Sequence, residues 1–348
     1  MNDRRTNDLS GPVPRLPEGL RVHDRAADPH GRDADNPAEI PARGWKDVAI
    51  RVQRQLKAHN IGLVGAGVAF YTLLALFPAM IALISLYGLV VKPSRIAAQI
   101  DSALTFIPQD ARNVIAQQLN DLTKNGKGGL GVGLAVSIIL ALWSASGGMR
   151  ALMTGLNIAY DETETRKFVR LRLVSLALTL GVLVFAIVAL VAVVGVPARF
   201  DAHQPVGMAL AWLRWPLLGV LLAAGLSAVY RYGPDRDEPK WSWASWGAGI
   251  STVLWLVMTV VFSFYVSSFA HFNKTYGTFA GVVVLMTWMS LSAYIALFGA
   301  EVNAELERQT TQDTTTGPDR PIGARDAYAA DTVGATADEL KGKPVKQK

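Results

Sequence analysis

Six long apolar runs dominate the pattern of hydrophobic and polar positions along this chain. A helix rises about 1.5 Å per residue, so each run is long enough to cross a hydrocarbon layer roughly 30 Å thick. The pattern therefore predicts an all-α polytopic membrane protein with six transmembrane helices. The predicted spans are residues 62–91, 130–151, 171–196, 208–230, 246–270 and 277–300.

Amphipathic stretches accompany the predicted spans. In residues 44–60, Trp45, Val48 and Val52 recur at helical spacing and basic side chains occupy other faces. This pattern predicts an interfacial helix lying on a membrane face. The outer loop, residues 92–129, shows the same periodicity before and after a proline, which predicts two further interfacial helices.

The two ends of the chain lack such periodicity. Residues 1–43 are rich in Pro, Gly, Asp and Arg, and residues 307–348 in Thr, Asp, Gly and Lys. Such segments bury too little apolar surface to offset their chain entropy. We therefore expect disordered cytoplasmic tails on both sides of a membrane domain formed by residues 44–306.

The distribution of charged residues predicts how the protein is oriented in the membrane and which kinds of partner it has. Basic residues concentrate before the first span and in the loops after the second and fourth spans, so both termini should be cytoplasmic. The formal net charge of +6 is better explained by anionic lipid head groups than by nucleic acid, because 51% of the residues are hydrophobic. With no cysteine, disulfides and thiolate chemistry are excluded.

Several short motifs occur in a fixed order within residues 44–306. They are Ala66-Gly67-Val68-Ala69-Phe70-Tyr71, Leu76-Phe77-Pro78, Trp143-Ser144-Ala145-Ser146, Leu156-Asn157 with Tyr160, Tyr230-Arg231-Tyr232 with Pro234, Trp246-Gly247-Ala248, Tyr276-Gly277 and Gly299-Ala300-Glu301-Val302-Asn303. In these motifs the chain resembles the YihY/BrkB family of bacterial inner-membrane proteins. The resemblance implies a six-span protein of the cytoplasmic membrane. Members have been labelled ribonuclease BN, linked to serum resistance in a pathogen, and proposed as transporters of lipids or envelope components.

Polar residues at the span ends should share one depth on the cytoplasmic side, because spans two, four and six end there and the others begin there. One hypothesis is an inner gate or head-group site in which Glu301 pairs with Arg231 or Arg170 and exchanges that partner for a substrate charge. The alternative is a set of helix caps and ion pairs that fix the bundle. The residues concerned are Glu301, Asn303, Arg231, Arg170, Arg166, Asn157 and Tyr160.

Proline and small residues mark sites of bending or close packing. Pro78 predicts a kink in the first span, because it removes a helical hydrogen bond. Ser144 with Gly148, and Gly277 with Gly281, are four residues apart and would let helices approach closely. The alternative for Ser144–Gly148 is a break in span two that frees backbone groups to line a cavity.

Catalytic signatures do not emerge from the sequence. The five histidines fall in tails, in separate loops and at one span start, so no metal site, cofactor or nuclease centre is expected. No phosphate-cradling glycine loop of the ATPase type is found either, so transport would not use ATP. Ribonuclease activity is disfavoured, and we expect a protein that is not an enzyme.

Two function classes remain open. The first is a transporter or flippase-like exporter of an anionic lipid or envelope precursor, which does not use ATP. The second is a non-transporting membrane organiser or partner-binding protein. Both would sit among membrane lipids without nucleic acid, and the small-residue faces also permit a homo-oligomer.

Overall fold

The computed structural model describes residues 28–90, 132–191, 205–268 and 273–341. Six long helices form most of it: α2 (Ile61–Val90), α3 (Val132–Ala159), α4 (Phe168–Leu190), α5 (Pro205–Tyr232), α6 (Trp241–Ser268) and α7 (Asn273–Glu307). Before them come a short 3-10 helix (Pro37–Glu39) and α1 (Ala42–Ala58). After them come the single turns α8 (Tyr328–Asp331) and α9 (Ala337–Leu340). Within the described ranges the architecture is all-helical, apart from an isolated bridge between Pro239 and Thr315.

The six long helices coincide with the six apolar runs, although several continue beyond them. By length and composition, three described segments qualify as membrane spans: Phe168–Ala189, Trp241–Val266 and Gly281–Glu307. A fourth candidate combines α1 with Ile61–Leu76 across a 62° bend. In the most apolar 18-residue window of each segment, 17%, 11% and 11% of the residues are buried inside the protein, so much of the apolar surface of these windows faces outward. That distribution is the reverse of a water-soluble core and suits a lipid surrounding.

Helix α7 lies at the centre of the helix packing. It contacts α1, α2, α3 and α6, while α2 also packs extensively against α3. Two glycines permit the closest approach, where α6 crosses α7. A Cβ atom added to Gly247 would lie 2.1 Å from the carbonyl oxygen of Gly299. Only hydrogen fits between these backbones, so the small residues fix the distance between the two helices.

The amphipathic helix α1 is confirmed, but its apolar face packs against protein. Val48 and Val52 are buried with Trp243, Val302 and Leu306, which belong to the first turn of α6 and the last turns of α7. The chain then bends between α1 and α2, where Asn60 has a φ of 50°. Asparagine tolerates this left-handed conformation better than most residues, so it suits the two-residue break.

The expectation of structureless tails is wrong for the parts that the structure describes, residues 28–41 and 308–341. The two segments bind each other: Thr311 N donates to Arg32 O at 2.8 Å, and Gln309 Nε2 donates to His30 O at 2.6 Å. Arg325 is buried and donates to four backbone carbonyl groups of the C-terminal segment. Polar hydrogen bonding, which hydrophobic periodicity does not reveal, holds these segments in place.

The alternative of a break in span two is wrong, because α3 is one continuous helix across Ser144–Gly148. Close packing is confirmed at Gly148, where an added Cβ would lie 3.1 Å from the Cα of Thr72. Ser144 itself is exposed. Helix α2 continues through Pro78, and α7 includes Gly277. The predicted interfacial helices of residues 92–129 lie outside the described residues.

Candidate functional site

Charged and polar side chains gather at one end of the bundle, which we call the polar end. Here α3, α5 and α7 end, and α2, α4 and α6 begin. The segments 28–41 and 308–341 lie over the same end, where the second segment bonds to the first and to the connection between α5 and α6. The polar belt expected at a single depth is therefore present, but most of its pairings differ from those expected.

The centre of the polar end is a group of three side chains, His59, Asp161 and Glu301, which we call the Glu301 cluster. His59 Nδ1 lies 2.6 Å from Glu301 Oε1, and His59 Nε2 lies 3.3 Å from Asp161 Oδ1. The side chains of His59 and Glu301 are 3% and 1% exposed. The other carboxylate oxygen of Glu301, Oε2, is buried and has no hydrogen-bond partner among the described residues. A single imidazole thus joins carboxylates from two different elements.

Local backbone geometry positions all three members of the Glu301 cluster. His59 ends α1 and precedes the Asn60 break, which turns its ring towards α7. Asp161 follows α3 with a φ of 58°, in a tight turn closed by the Asp161 N–H to Ile158 O bond. Glu301 lies six residues before the end of α7. The cluster therefore joins the ends of three helices that are distant in sequence.

His59 is the titratable centre of this group, in the break that precedes the predicted first span. Burial lowers the pKa of its imidazole, but hydrogen bonds and charge interactions with Asp161 and Glu301 outweigh that effect and raise the pKa to about 9. At neutral pH the ring is therefore protonated and positively charged. The cluster contains one cation between two carboxylates.

Two further carboxylates of α7 have fuller sets of partners. Glu307 receives both Nη atoms of Arg236, at 3.0 and 2.6 Å, and the hydroxyl of Thr314 at 2.7 Å. Glu305 pairs with Arg51 of α1 and with Arg308, whose Nη1 lies 2.6 Å from Glu305 Oε1. Both oxygens of each carboxylate are therefore bonded. Arg236 and Glu307 are completely buried, as a bidentate pair requires if it is to offset its desolvation.

The expected pairing of Glu301 with Arg231 or Arg170 is wrong, because His59 is the partner of Glu301. Arg231 bonds Pro239 O and lies 2.9 Å from Glu238 Oε2, within the connection between α5 and α6. Its guanidinium also lies 4.7 Å from the ring centroid of Trp241. Arg170 is exposed in the first turn of α4.

Asn157 and Arg166 join two loops at the polar end. Asn157 Oδ1 accepts from Asp235 N at 2.8 Å, and Arg166 Nη2 donates to Gly233 O at 3.0 Å. Both residues also contact Glu164, so the α3–α4 and α5–α6 connections are bonded together. Burial opposes ionisation of Asp235, but bonds from Thr165 and Arg166 hold its pKa below the usual range. These residues form a saturated structural network.

Asn303 and Tyr160 also have structural partners. Asn303 Oδ1 accepts from Gly247 N at 2.7 Å, and its Nδ2 donates to Ala244 O at 3.0 Å. This amide holds α7 against the first turns of α6. Tyr160 is buried, with the guanidinium of Arg236 5.0 Å from its ring centroid. Neither side chain belongs to the Glu301 cluster.

Sequence reasoning missed several members of this end, above all Asp161, Arg236 and Arg51. One signal was available: Glu301 and Glu305 are one helical turn apart at a span end, and buried carboxylates require cationic partners. Among the described residues, no group of three or more histidine or acidic side chains has the arrangement of a metal site.

Long apolar helices with a layer of charged residues at one end are typical of a membrane protein, and this is the class to which the protein belongs. The family described as virulence factor BrkB matches residues 52–322, most of the chain. The protein therefore belongs to the BrkB family, which confirms the resemblance to YihY/BrkB proteins.

Curated relatives agree with this assignment. The chain is 34% identical over 252 residues to the ribonuclease-like protein YfkH of Bacillus subtilis, covering 70% of this chain and 89% of that protein. It is 26% identical over 252 residues to a UPF0761 membrane protein of Nitrosospira multiformis, covering 71% of this chain and 58% of the relative. A UPF0761 membrane protein of Photobacterium profundum is 23% identical, with 79% and 85% covered. No solved structure matches the chain.

Proposed function

We propose that this protein is a transporter of the bacterial cytoplasmic membrane that moves an anionic lipid or envelope component without ATP. All six long helices would cross the membrane, with the polar end and both termini in the cytoplasm. The positions of the helices on the six apolar runs and the basic loops at the polar end support this arrangement. The gate would be the Glu301 cluster.

The observation that carries the proposal is the incomplete pairing of Glu301. Its carboxylate is buried at the end of a central helix, with His59 on one oxygen and no described partner on the other. Charged groups at the end of a membrane helix are costly unless paired, and they mark substrate or ion pathways. A carboxylate with a single, titratable partner can release it for another cation or on protonation. A bidentate arginine pair holds its carboxylate through two bonds at once.

The cluster also joins the elements that would have to move. His59 stands at the bend between α1 and α2, Asp161 follows α3, and Glu301 lies on α7. Breaking the His59–Glu301 contact would therefore free the start of α2 relative to α7. Opening between packed helices around a central site is the movement that alternating access requires.

The second candidate is a membrane organiser. It is favoured by the polar residues around the Glu301 cluster, which bond to other residues of the protein. Arg166, Arg231, Asn157 and Asn303 all have internal partners, as expected of residues that fix a scaffold. In this alternative, Glu301 only ties α1 to α7. Its loss would then change the stability of the protein and no transport step.

Glu301→Gln separates the two candidates, since it keeps the shape of the side chain and removes its charge. Wild type, Glu301→Gln and Asn157→Ala, a variant of a saturated structural residue, would be reconstituted in liposomes containing phosphatidylglycerol with a fluorescent head-group label. Dithionite added outside then reports movement between leaflets. Native mass spectrometry of the same preparations would record copy number and co-purified lipids.

A transporter predicts that wild type and Asn157→Ala move the lipid and that Glu301→Gln does not, at equal folded amounts. If wild type and Glu301→Gln moved the lipid equally well, the Glu301 cluster would not be the gate. No movement by the wild type, together with the same bulk lipids on every variant, would favour the organiser.

A further inference from the structure

Two arginines near the polar end, Arg150 of α3 and Arg172 of α4, lack an acidic partner among the described residues. The Nε atom of each is buried and makes no hydrogen bond there. The two side chains lie close to the same stretch of α3, because Arg172 Nη1 is 3.4 Å from Ser146 Oγ and Arg150 follows Ser146 by one helical turn. Two adjacent cations that are partly withdrawn from water are costly without an anion between or beside them. Arg166 and Arg231 differ from this pair, because each has a carboxylate partner, Glu164 and Glu238 respectively.

The contacts of Arg172 place the two guanidinium groups on one face of α3. Arg172 Nη1 donates to Ser146 Oγ at 3.4 Å, and its guanidinium lies 4.2 Å from the ring centroid of Trp143. Arg150 follows Ser146 by four residues, so it lies one turn further along the same face. Among the described residues, a Cβ added to Gly147 would meet only Arg150 Nη2, at 4.0 Å, so nothing described there fills the space beside this guanidinium.

The chemistry of this pair suits a phosphate group. A guanidinium presents a planar fork of donors that matches phosphate oxygens and keeps its charge at all physiological pH values. Arg172 also lies over the first turn of α4, with its guanidinium 5.5 Å from the ring of Phe168. The N-cap residue of α4, Lys167, makes no capping hydrogen bond with its side chain, so no side chain of its own screens the helix dipole there. The dipole therefore adds to the attraction for an anion.

The surroundings indicate that the phosphate belongs to a lipid. Phe168, Val169 and Leu173 are strongly exposed apolar residues of α4, and Trp143 is exposed on α3. Aromatic and apolar side chains beside basic groups are typical of the boundary between head groups and acyl chains. A soluble phosphoester would leave this apolar surface uncovered, whereas a lipid would cover it with its chains.

We propose that Arg150 and Arg172 bind the phosphate group of a lipid head group, with Trp143 and Phe168 flanking the lipid. The site uses none of the residues of the Glu301 cluster, so it does not depend on the transport proposal. One phosphate between the two guanidinium groups would replace their mutual repulsion by two attractions. It would also tie the lipid to the contact between α3 and α4.

Lipid titration followed by native mass spectrometry tests this site on the full-length protein in detergent. The ligands are phosphatidylglycerol, uncharged diacylglycerol, and soluble glycerol phosphate as a competitor. The variants are Arg150→Gln and Arg172→Gln, with Arg43→Gln as control because Arg43 is an exposed arginine of α1. We expect each test variant to bind phosphatidylglycerol roughly tenfold more weakly, as for the loss of a charged hydrogen bond. The control should match the wild type.

Each remaining outcome has a defined meaning. Unchanged affinity in both test variants, or equally tight binding of diacylglycerol, would overturn the phosphate site. Competition by glycerol phosphate at the concentration of the lipid itself would overturn its assignment to a lipid. If a glutamine variant fails to fold, the charge-preserving Arg172→Lys replaces it. That variant should keep the wild-type melting temperature and still bind more weakly, because lysine lacks the fork.

Discussion

Glu301 and Glu307 are two buried carboxylates six residues apart on α7, and their environments differ in one decisive respect. Glu307 has a bidentate arginine and a threonine hydroxyl, so each of its oxygens is bonded. Glu301 has one imidazole and an oxygen without a described partner. Burial alone therefore does not distinguish Glu301, the carboxylate that we propose as a gate, from the structural carboxylate Glu307. The useful distinction is whether the charge is saturated by permanent cations or held by a group that can lose its proton.

The largest effect should follow from breaking the saturated pair. Arg236→Met leaves Glu307 charged and buried without its cation, which costs about 3–5 kcal/mol of folding free energy. We expect little folded protein by size-exclusion chromatography after detergent extraction. The double variant Arg236→Met/Glu307→Leu removes both charges and should restore most of the folded yield. An unaltered yield in Arg236→Met alone would contradict the structural role of the pair.

A smaller loss should follow from separating the helices that carry these groups. Gly247→Ala introduces a Cβ 2.1 Å from Gly299 O and 2.6 Å from Asn303 Oδ1. It should lower stability by about 1–3 kcal/mol, as for other overpacked contacts. Gly249→Ala is the matched control on the same helix, since an added Cβ meets nothing within 4 Å. Thermal melting should distinguish the two, with the Gly249 variant equal to the wild type or slightly more stable.

The pH dependence of the wild type should trace to the Glu301 cluster. The folded protein holds the His59 proton more tightly than the unfolded chain, because the pKa is raised to about 9. The charged imidazole therefore stabilises the fold fully below about pH 6.5, and this contribution is lost as the pH rises through about 9. His59 is faced by Asp161 of the turn after α3 and by Glu301 of α7.

Melting curves between pH 6 and pH 10 would measure this contribution. We expect the wild type to lose on the order of 5 °C across that range, and His59→Gln to lose less. Glu307→Gln, which alters the saturated pair, should keep the wild-type slope from a lower starting point. Parallel slopes for the wild type and His59→Gln would assign the pH dependence to other groups.

The smallest effect is expected where a charge pair is exposed. Lys341 and Asp338 form an ion pair at the surface, with more than three quarters of each side chain in solvent. Lys341→Ala should leave the melting temperature unchanged, because solvent screens such pairs and they cost side-chain entropy. A clear loss of stability would show that the end of the C-terminal segment is held more tightly than its exposure indicates.

Hydrophobic periodicity was enough to predict the long helices, since α2 to α7 each overlap a predicted apolar run. It was also enough to predict that Glu301, Asn157 and Arg231 lie at one end. Their partners could not be predicted, because pairing depends on the rotation of each helix and on turns such as those at Asn60 and Asp161. Hydropathy likewise carries no information about a polar segment that folds through backbone hydrogen bonds, as residues 308–341 do.

The comparison extends to the arginines of the protein. Arg236 and Arg51 reach carboxylates of α7, and Arg325 is surrounded by carbonyl groups. Arg172 has two aromatic rings and one hydroxyl group instead, and neither Arg172 nor Arg150 has an acidic partner among the described residues. In both sets of groups, carboxylates and arginines, our two proposals rest on side chains whose pairing is incomplete among the described residues.

The contact between the two ends of the chain has a consequence for biosynthesis. Arg51 is synthesised early, but its partners Glu305 and Ala335 follow 254 and 284 residues later. Arg32 likewise cannot donate to the carbonyl oxygen of Gly334 until that residue has been synthesised. Translation proceeds at about 5–20 residues per second, so these cations remain solvated for many seconds while the helices insert. Closure of the polar end is therefore a late step, because a chain that has not reached residue 305 lacks the carboxylate that pairs with Arg51.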